Sequence, residues 1–117
     1  MTRIPTAISY LSQTAKFLDG TTSPREFLES CVQNYEKLEP SIKAFVQVDL
    51  AQARGDADAS SLRWKAGQPL SRIDGMPVGV KDIIETAHLT TEQGSPLFAR
   101  WQSVRDAASV SAETDAA

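Results

Sequence analysis

The apolar positions of this chain change period four times, and each change marks an element. Ala7, Ile8, Leu11, Ala15 and Leu18 recur at three- and four-residue spacing and stop at Gly20, a natural glycine just past a helix end. The pattern predicts an amphipathic helix. A second helix opens at Ser23-Pro24-Arg25-Glu26, where Ser23 and Glu26 make a capping box and Pro24 takes the first helical position. It continues through Phe27, Leu28, Cys31, Val32, Tyr35 and Leu38, and Pro40 is expected to stop it. The period then falls to two. Ile42, Ala44, Val46 and Val48 lie on one face of an expected strand, and Phe45 on the other face implies that both sides are covered. Asp49 with Gln52 caps a third helix through Ala51, Ala53, Ala57, Ser61 and Trp64, closed by Gly67 and weakened in its middle by Gly55.

Gln68 to Gly75 reads as a loop, since Pro69, Asp74, Gly75 and Pro77 punctuate it densely. Pro77 can start an extended segment, and Val78, Gly79 and Val80 follow in a strand's alternation. Lys81 then shares a face with Gly79, and Asp82 points the other way. Beyond Ile84 the chain is expected to turn through Glu85 to Thr91 toward Gly94, and Trp101 to Ala112 has a helical spacing in Val104, Ala108 and Val110 or Ala112.

A lysine at the end of a short apolar strand, with glycines cleared around it, is a candidate for chemistry. Gly79 leaves room beside it for a backbone or a substrate. Water lost from such an amine would lower its proton affinity toward working pH, where the neutral form is a base or nucleophile. The plainer alternative is a surface charge on a snorkelling stem.

The block PLSRIDGMPVGVKDIIETAHLTTEQGSPLF, Pro69 to Phe98, resembles the amidase signature family, whose members cleave carboxamide C–N bonds with a serine, a second serine in a cis peptide, and a lysine. LEPSIKAFVQVD, Leu38 to Asp49, is similar to the helix-to-strand passage that precedes this block in the family. The resemblance runs from about residue 24 to about residue 110. It implies an α/β fold of helices packed on a large mixed β-sheet, with residues 1–117 forming the N-terminal part of one amidase domain. Residues 1–22 make an N-terminal helix and turn. By the same resemblance Lys81 is the catalytic base that takes a proton through the cis serine. The two serines follow in a later Gly/Ser-rich segment and have no counterpart here. Ser95 is then not the nucleophile, and Thr91 to Ser95 match a Thr-x-x-Gly-Ser element that supports the site through Gly94 and Ser95. Gly79 and Asp82 are expected to support Lys81 at closer range, against the plainer reading of Asp82 as a surface salt bridge with Arg72.

Residues 113–117, ETDAA, depart from the family's continuation of leucine, arginine and an Ala-Gly turn, and suggest a shortened product, a frame shift or a cut chain. Glu113 and Asp115 also place negative charge at a helix's negative pole. A net charge of −3 over 117 residues gives no basic footprint for nucleic acid or an anionic membrane. The lone Cys31 forms no internal disulfide and reads as a small buried hydrophobe, which fits a reducing, cytoplasmic setting.

His88 is the single histidine, and no carboxylate or cysteine stands at ligand spacing from it, so no metal site is expected. A Ser-His-Asp triad lacks the GxSxG elbow and strand-turn-helix context at Ser95, and the bland reading of His88 is a partly exposed loop residue. Trp64 and Trp101 are read as packing residues, while Asp74, Asp82, Glu85 and Glu92 could supply a carboxylate pair, yet nothing in their spacing distinguishes a site from a solvated rim. No cofactor is implied. Two function classes follow. One is the lysine-bearing part of an enzyme acting on a small amide, inactive by itself. The other is a helical interaction module that packs against a partner chain, or self-associates, through open sheet edges. A downstream Gly/Ser-rich segment with spaced serines would discriminate them.

Overall fold

The computed structural model describes residues 9–116. Its elements are four α-helices: α1 (Thr14–Asp19), α2 (Pro24–Ile42), α3 (Leu50–Lys65) and α4 (Ala108–Ala116), with 3-10 turns at Leu11–Gln13 and Pro96–Phe98. The helical hairpin of α2 and α3 forms its centre.

α2 starts where its capping residues place it. The Ser23 hydroxyl accepts from the Glu26 amide at 3.2 Å, while the Glu26 carboxylate accepts from the Thr22 hydroxyl at 2.8 Å. Pro40 does not stop this helix. The missing N–H costs a single bond in the last turn, and the helix runs on to Ile42 before Lys43 turns left-handed at φ 52°. The Glu39 carboxylate then accepts from the Phe45 amide at 2.9 Å and fixes the exit. α3 begins at its expected cap, with the Asp49 carboxylate accepting from the Gln52 amide at 3.0 Å.

Ion pairs show the direction of the hairpin. Arg25 near the start of α2 pairs with Asp58 in the second half of α3, and Glu29 one turn later pairs with Arg54 one turn earlier. The two helices are antiparallel. Leu28, Val32 and Ala57 are buried between them, with Leu50 and Ala53 alongside. A second cluster of Tyr10, Phe17 and Trp64, backed by Phe27 and Met76, packs α1 onto the end of α3. Tyr10 and Phe17 lie 5.4 Å apart between ring centroids, and Phe17 and Trp64 lie 5.6 Å apart. These are aromatic contacts of ordinary geometry.

This packing reverses the expected face of the first helix. Leu11, Ala15 and Leu18 are exposed, and Leu18 keeps 58% of its surface, because the aromatic rings of Tyr10 and Phe17 claim the inner face. Ala7 and Ile8 lie outside the described residues. The helix expected over Trp101 to Ala112 begins later, at Ala108, and continues through Ala116.

The larger correction concerns fold class. Among the described residues no strand forms, so the α/β arrangement of helices on a large mixed sheet is absent and the structure is helical with long loops. The segments expected as strands, Ile42 to Val48 and Pro77 to Ile84, carry the right alternation but no backbone hydrogen bond joins them. A strand exists only through its neighbour. Ile42 is the last residue of α2 and is 61% exposed, and Val46 is 67% exposed. The chain is also spread out. Its radius of gyration is 15.6 Å, against about 13 Å for a compact domain of this length, and its extents are 49 × 42 × 20 Å.

Candidate functional site

Two extended segments and one loop enclose a groove of about 420 Å³, lined among others by Phe45, Val46, Gly79, Lys81, Ile84 and Leu89. Phe45 is held edge-on against Tyr35 of α2, with centroids 5.4 Å apart and planes at 82°. A methyl group built on Gly79 would lie 3.9 Å from the Phe45 ring. A side chain at position 79 would thus begin in van der Waals contact with that ring.

Lys81 sits at the groove with its side chain exposed and in no ion pair among the described residues. The burial that the sequence suggested for its amine is not found, because the apolar residues around it are themselves open: Val78, Val80 and Ile83 are all exposed. Its backbone is better fixed than its side chain. The Lys81 carbonyl accepts from the Ile84 amide at 3.0 Å, closing a turn.

Asp82 joins that turn to the Thr91–Ser95 element. Its carboxylate accepts from the Glu92 amide at 3.0 Å and its carbonyl accepts from the Gln93 amide at 2.9 Å. It forms no salt bridge with Arg72. Thr91 is fully buried and donates its amide to the Trp101 carbonyl at 2.8 Å. Gln93 and Gly94 both have positive φ, 55° and 64°, and the Ser95 amide closes the turn onto the Glu92 carbonyl at 3.0 Å. The Ser95 hydroxyl accepts from the Leu97 amide at 3.3 Å and caps the short 3-10 turn that follows. The structure thus brings Lys81, Asp82, Gly94 and Ser95 into one connected region.

The loop between them is anchored to the helical hairpin. His88 Nε2 lies 2.9 Å from an Asp49 carboxylate oxygen, and the Thr90 amide donates to the Gln47 side chain at 3.1 Å. The Asp49 carboxyl is held below its ordinary value by the Gln52 amide first and by His88 as well. His88 is an exposed loop residue, as its sequence context implied. No three His, Cys, Asp or Glu side chains among the described residues are grouped to hold a metal ion. Of the described helices, none is long and apolar enough to cross a membrane.

Asp74 and its partners are what the sequence did not reveal. The spacing of Asp74 does not distinguish it from a solvated rim, yet it is fully buried. Arg63 of α3 grips both its oxygens, Nε at 2.7 Å and an Nη at 2.6 Å, and the Leu70 amide donates at 3.0 Å. Its carbonyl accepts from Trp64 Nε1 at 2.9 Å and from the Tyr10 hydroxyl. Burial pushes the carboxyl up, but the Arg63 fork and the Leu70 amide outweigh it and hold it below its ordinary value. Burial, then the Asp74 charge, pushes the Tyr10 phenol up. The spacing of Arg63 and Asp74 across a helix end carries no local signal. Glu85 is likewise a tie, accepting from the Ser103 hydroxyl at 2.9 Å, and Glu92 accepts from the Arg100 amide at 2.6 Å. Trp64 packs in the core, whereas Trp101 stands 40% exposed.

Similarity to known proteins follows the same residues. The sequence model of the Amidase family matches residues 26–114, which take in most of α2, all of α3, the groove and most of α4. A subunit of the glutamyl-tRNA(Gln) amidotransferase of Myxococcus xanthus is 36% identical over 93 residues, covering 80% of this chain and 19% of that protein. The same subunit of the Leptospira interrogans serovar Lai enzyme is 30% identical over 95 residues, covering 81% of this chain and 20% of its own length. An acylamidase of Rhodococcus erythropolis is 32% identical over 87 residues, covering 74% of this chain and 18% of that enzyme. The chain spans about a fifth of the length of these relatives, and no solved structure matches it. With three quarters of its residues inside the family's sequence model, the lysine turn among them, this chain belongs to the Amidase family.

Proposed function

We propose that this chain supplies the lysine of a serine, cis-serine, lysine centre that cleaves the C–N bond of a small carboxamide, and that it is inactive alone. The family match across residues 26–114, with Lys81 opening on the groove, carries this reading. In such a centre the neutral amine of Lys81 takes a proton, relayed by the cis serine, from the nucleophilic serine as that oxygen attacks the amide carbon. The C–N bond breaks, the amine leaves with a proton, and an acyl-enzyme remains for water or another amine. Within these 117 residues the resemblance supplies the lysine but neither serine. Relatives named as an acylamidase and as a subunit of an amidotransferase both fit a chemistry centred on an amide C–N bond. A reducing, cytoplasmic setting is the one the single Cys31 supports.

The test is a chimera in which this chain replaces the matched segment of the Rhodococcus acylamidase. The chimera should hydrolyse simple amides, and Lys81→Ala and Lys81→Arg should each lower its rate by roughly 10³-fold or more, with the fold intact by circular dichroism. Near-normal rates in either variant would show a structural lysine. The chain alone should show no turnover above the buffer blank and no labelling by a fluorophosphonate serine probe.

A second reading rests on a different observation. Val78, Val80, Ile83 and Leu97 are exposed together with Phe45 and Val46, an unusual amount of apolar surface for so small a chain. It favours a module that packs against a partner chain. A chain that is monodisperse and monomeric at high concentration would weigh against it.

A further inference from the structure

Gln93 is held in a conformation that its own side chain disfavours, and the groups that hold it belong to the residue next to Lys81. With positive φ at both Gln93 and Gly94 and the Ser95 amide bonded to the Glu92 carbonyl, residues 92–95 have the pattern of a type I′ turn. Glycine meets that demand at Gly94. Glutamine does not meet it at 93, because a Cβ in the left-handed region crowds the backbone. Something must offset the strain. Asp82 contacts both amides that lead into the turn, the Glu92 amide through its carboxylate and the Gln93 amide through its carbonyl.

We propose that Asp82 is the positioning residue of Lys81: by clamping the strained 92–95 turn it locks the backbone on which the lysine stands. The same residue lies inside the Lys81–Ile84 turn, so the two turns share Asp82 as a common corner. Releasing the Glu92 amide frees Gln93 to relax, and the relaxation withdraws the Gln93 amide from the Asp82 carbonyl. The lysine turn then loses its tie through Asp82 to the 91–95 element. The catalytic meaning of the clamp rests on the reading of Lys81 as a base, but the clamp itself is a matter of geometry.

Two measurements on the 117-residue chain test it. Amide exchange by NMR reads the clamp, and the rate of reductive methylation of Lys81, with Lys16, Lys37, Lys43 and Lys65 as internal standards, reads the lysine. Asp82→Ala should speed exchange at Glu92 and Gln93 by about tenfold, the equivalent of about 1.4 kcal/mol, and change the relative methylation of Lys81 about threefold. Asp82→Asn keeps an acceptor oxygen and should stay within about twofold of the parent on both readings. Adding Gln93→Gly to Asp82→Ala removes the strain and should restore at least part of both. Unchanged exchange in Asp82→Ala would overturn the clamp. Faster exchange with unchanged Lys81 methylation would reduce Asp82 to a loop support and overturn its positioning role. Neither measurement requires turnover, so a catalytically dispensable Lys81 in the chimera would sink the amidase reading while leaving this one standing.

Discussion

Arg63 and Asp74 meet as a two-pronged pair, Nε to one carboxylate oxygen at 2.7 Å and Nη to the other at 2.6 Å, and the acid is sealed from water while the base is not. That asymmetry decides what happens when either is removed. Arg63→Ala leaves a buried carboxylate with the Leu70 amide as its remaining charge-stabilising donor, and should destabilise the chain by about 3 kcal/mol or more. Asp74→Asn keeps the packing and should cost less. The folded carboxyl lies below its ordinary value, so its stabilising contribution is complete above about pH 4 and is lost as pH falls through that range. Trp64 fluorescence followed from pH 7 to pH 2 should report this loss in the parent and lack it in Asp74→Asn.

Two glycines should respond in opposite directions to the same substitution. A Cβ on Gly75 would lie 2.4 Å from the Ser60 hydroxyl oxygen and 2.8 Å from the Pro24 Cβ, and the residue has φ 85°. Gly75→Ala should therefore destabilise by about 2 to 4 kcal/mol, combining left-handed strain with overpacking. Gly55 lies inside α3 with nothing within 4 Å of a built Cβ. Gly55→Ala should stabilise by about 0.5 to 1 kcal/mol through helix propensity alone. Urea midpoints of the two variants check both signs.

Glu29 accepts from Arg25 and Arg54 at once, and its carboxyl is lowered to about 2, chiefly by Arg54 and then by Arg25. Because the folded value is depressed, the network stabilises the hairpin above about pH 4.5 and is lost between pH 4.5 and 2. Arg54→Gln should raise the Glu29 midpoint toward its ordinary value in a carboxyl-detected NMR titration. A midpoint unmoved by the substitution would show that the pair is a surface coincidence.

Hydrogen exchange should divide the chain. Amides inside α2 and α3 lie in helical ladders over a buried seam, whereas Gly79 and Val80 have no backbone partner. Exchange at Gly79 and Val80 should approach the rate of an unstructured peptide, while Val32 and Ala57 are the most protected sites. Hydrophobic dye should bind the open region around Val78 to Ile83. Strong protection at Gly79 and Val80 in a dilute monomer would contradict the structure.

These contrasts also explain what is legible in the sequence. Ser23-Pro24-Arg25-Glu26 and Asp49 with Gln52 locate α2 and α3 because capping is a local affair, settled within four residues. Strands are not local. The alternation at 42–48 and 77–84 reports two faces that suit a sheet, but pairing depends on neighbours that the local pattern does not name, and the same residues stand extended and unpaired. The inner face of α1 escapes the pattern because spacing counts aliphatic residues equally with aromatic ones, while Tyr10 and Phe17 carry more buried surface than Leu11 and Leu18. At the site, the resemblance points to Lys81, Asp82, Gly94 and Ser95 together. It holds no sign of the Asp74 hub, whose partners Tyr10, Arg63 and Leu70 come from three separate stretches of chain.

The slab-like shape has a consequence for every charge in the molecule. The Cα trace is only 20 Å thick, so its midplane is about 10 Å from either broad face, close to the Debye length of about 8 Å at physiological ionic strength. Few charges in so thin a body lie far from solvent, and the Glu29 network and Lys81 are open to it. Added salt should weaken the exposed Glu29 network first and the enclosed Arg63–Asp74 pair last, so that a salt titration orders the ionic contacts of this chain by their exposure to solvent.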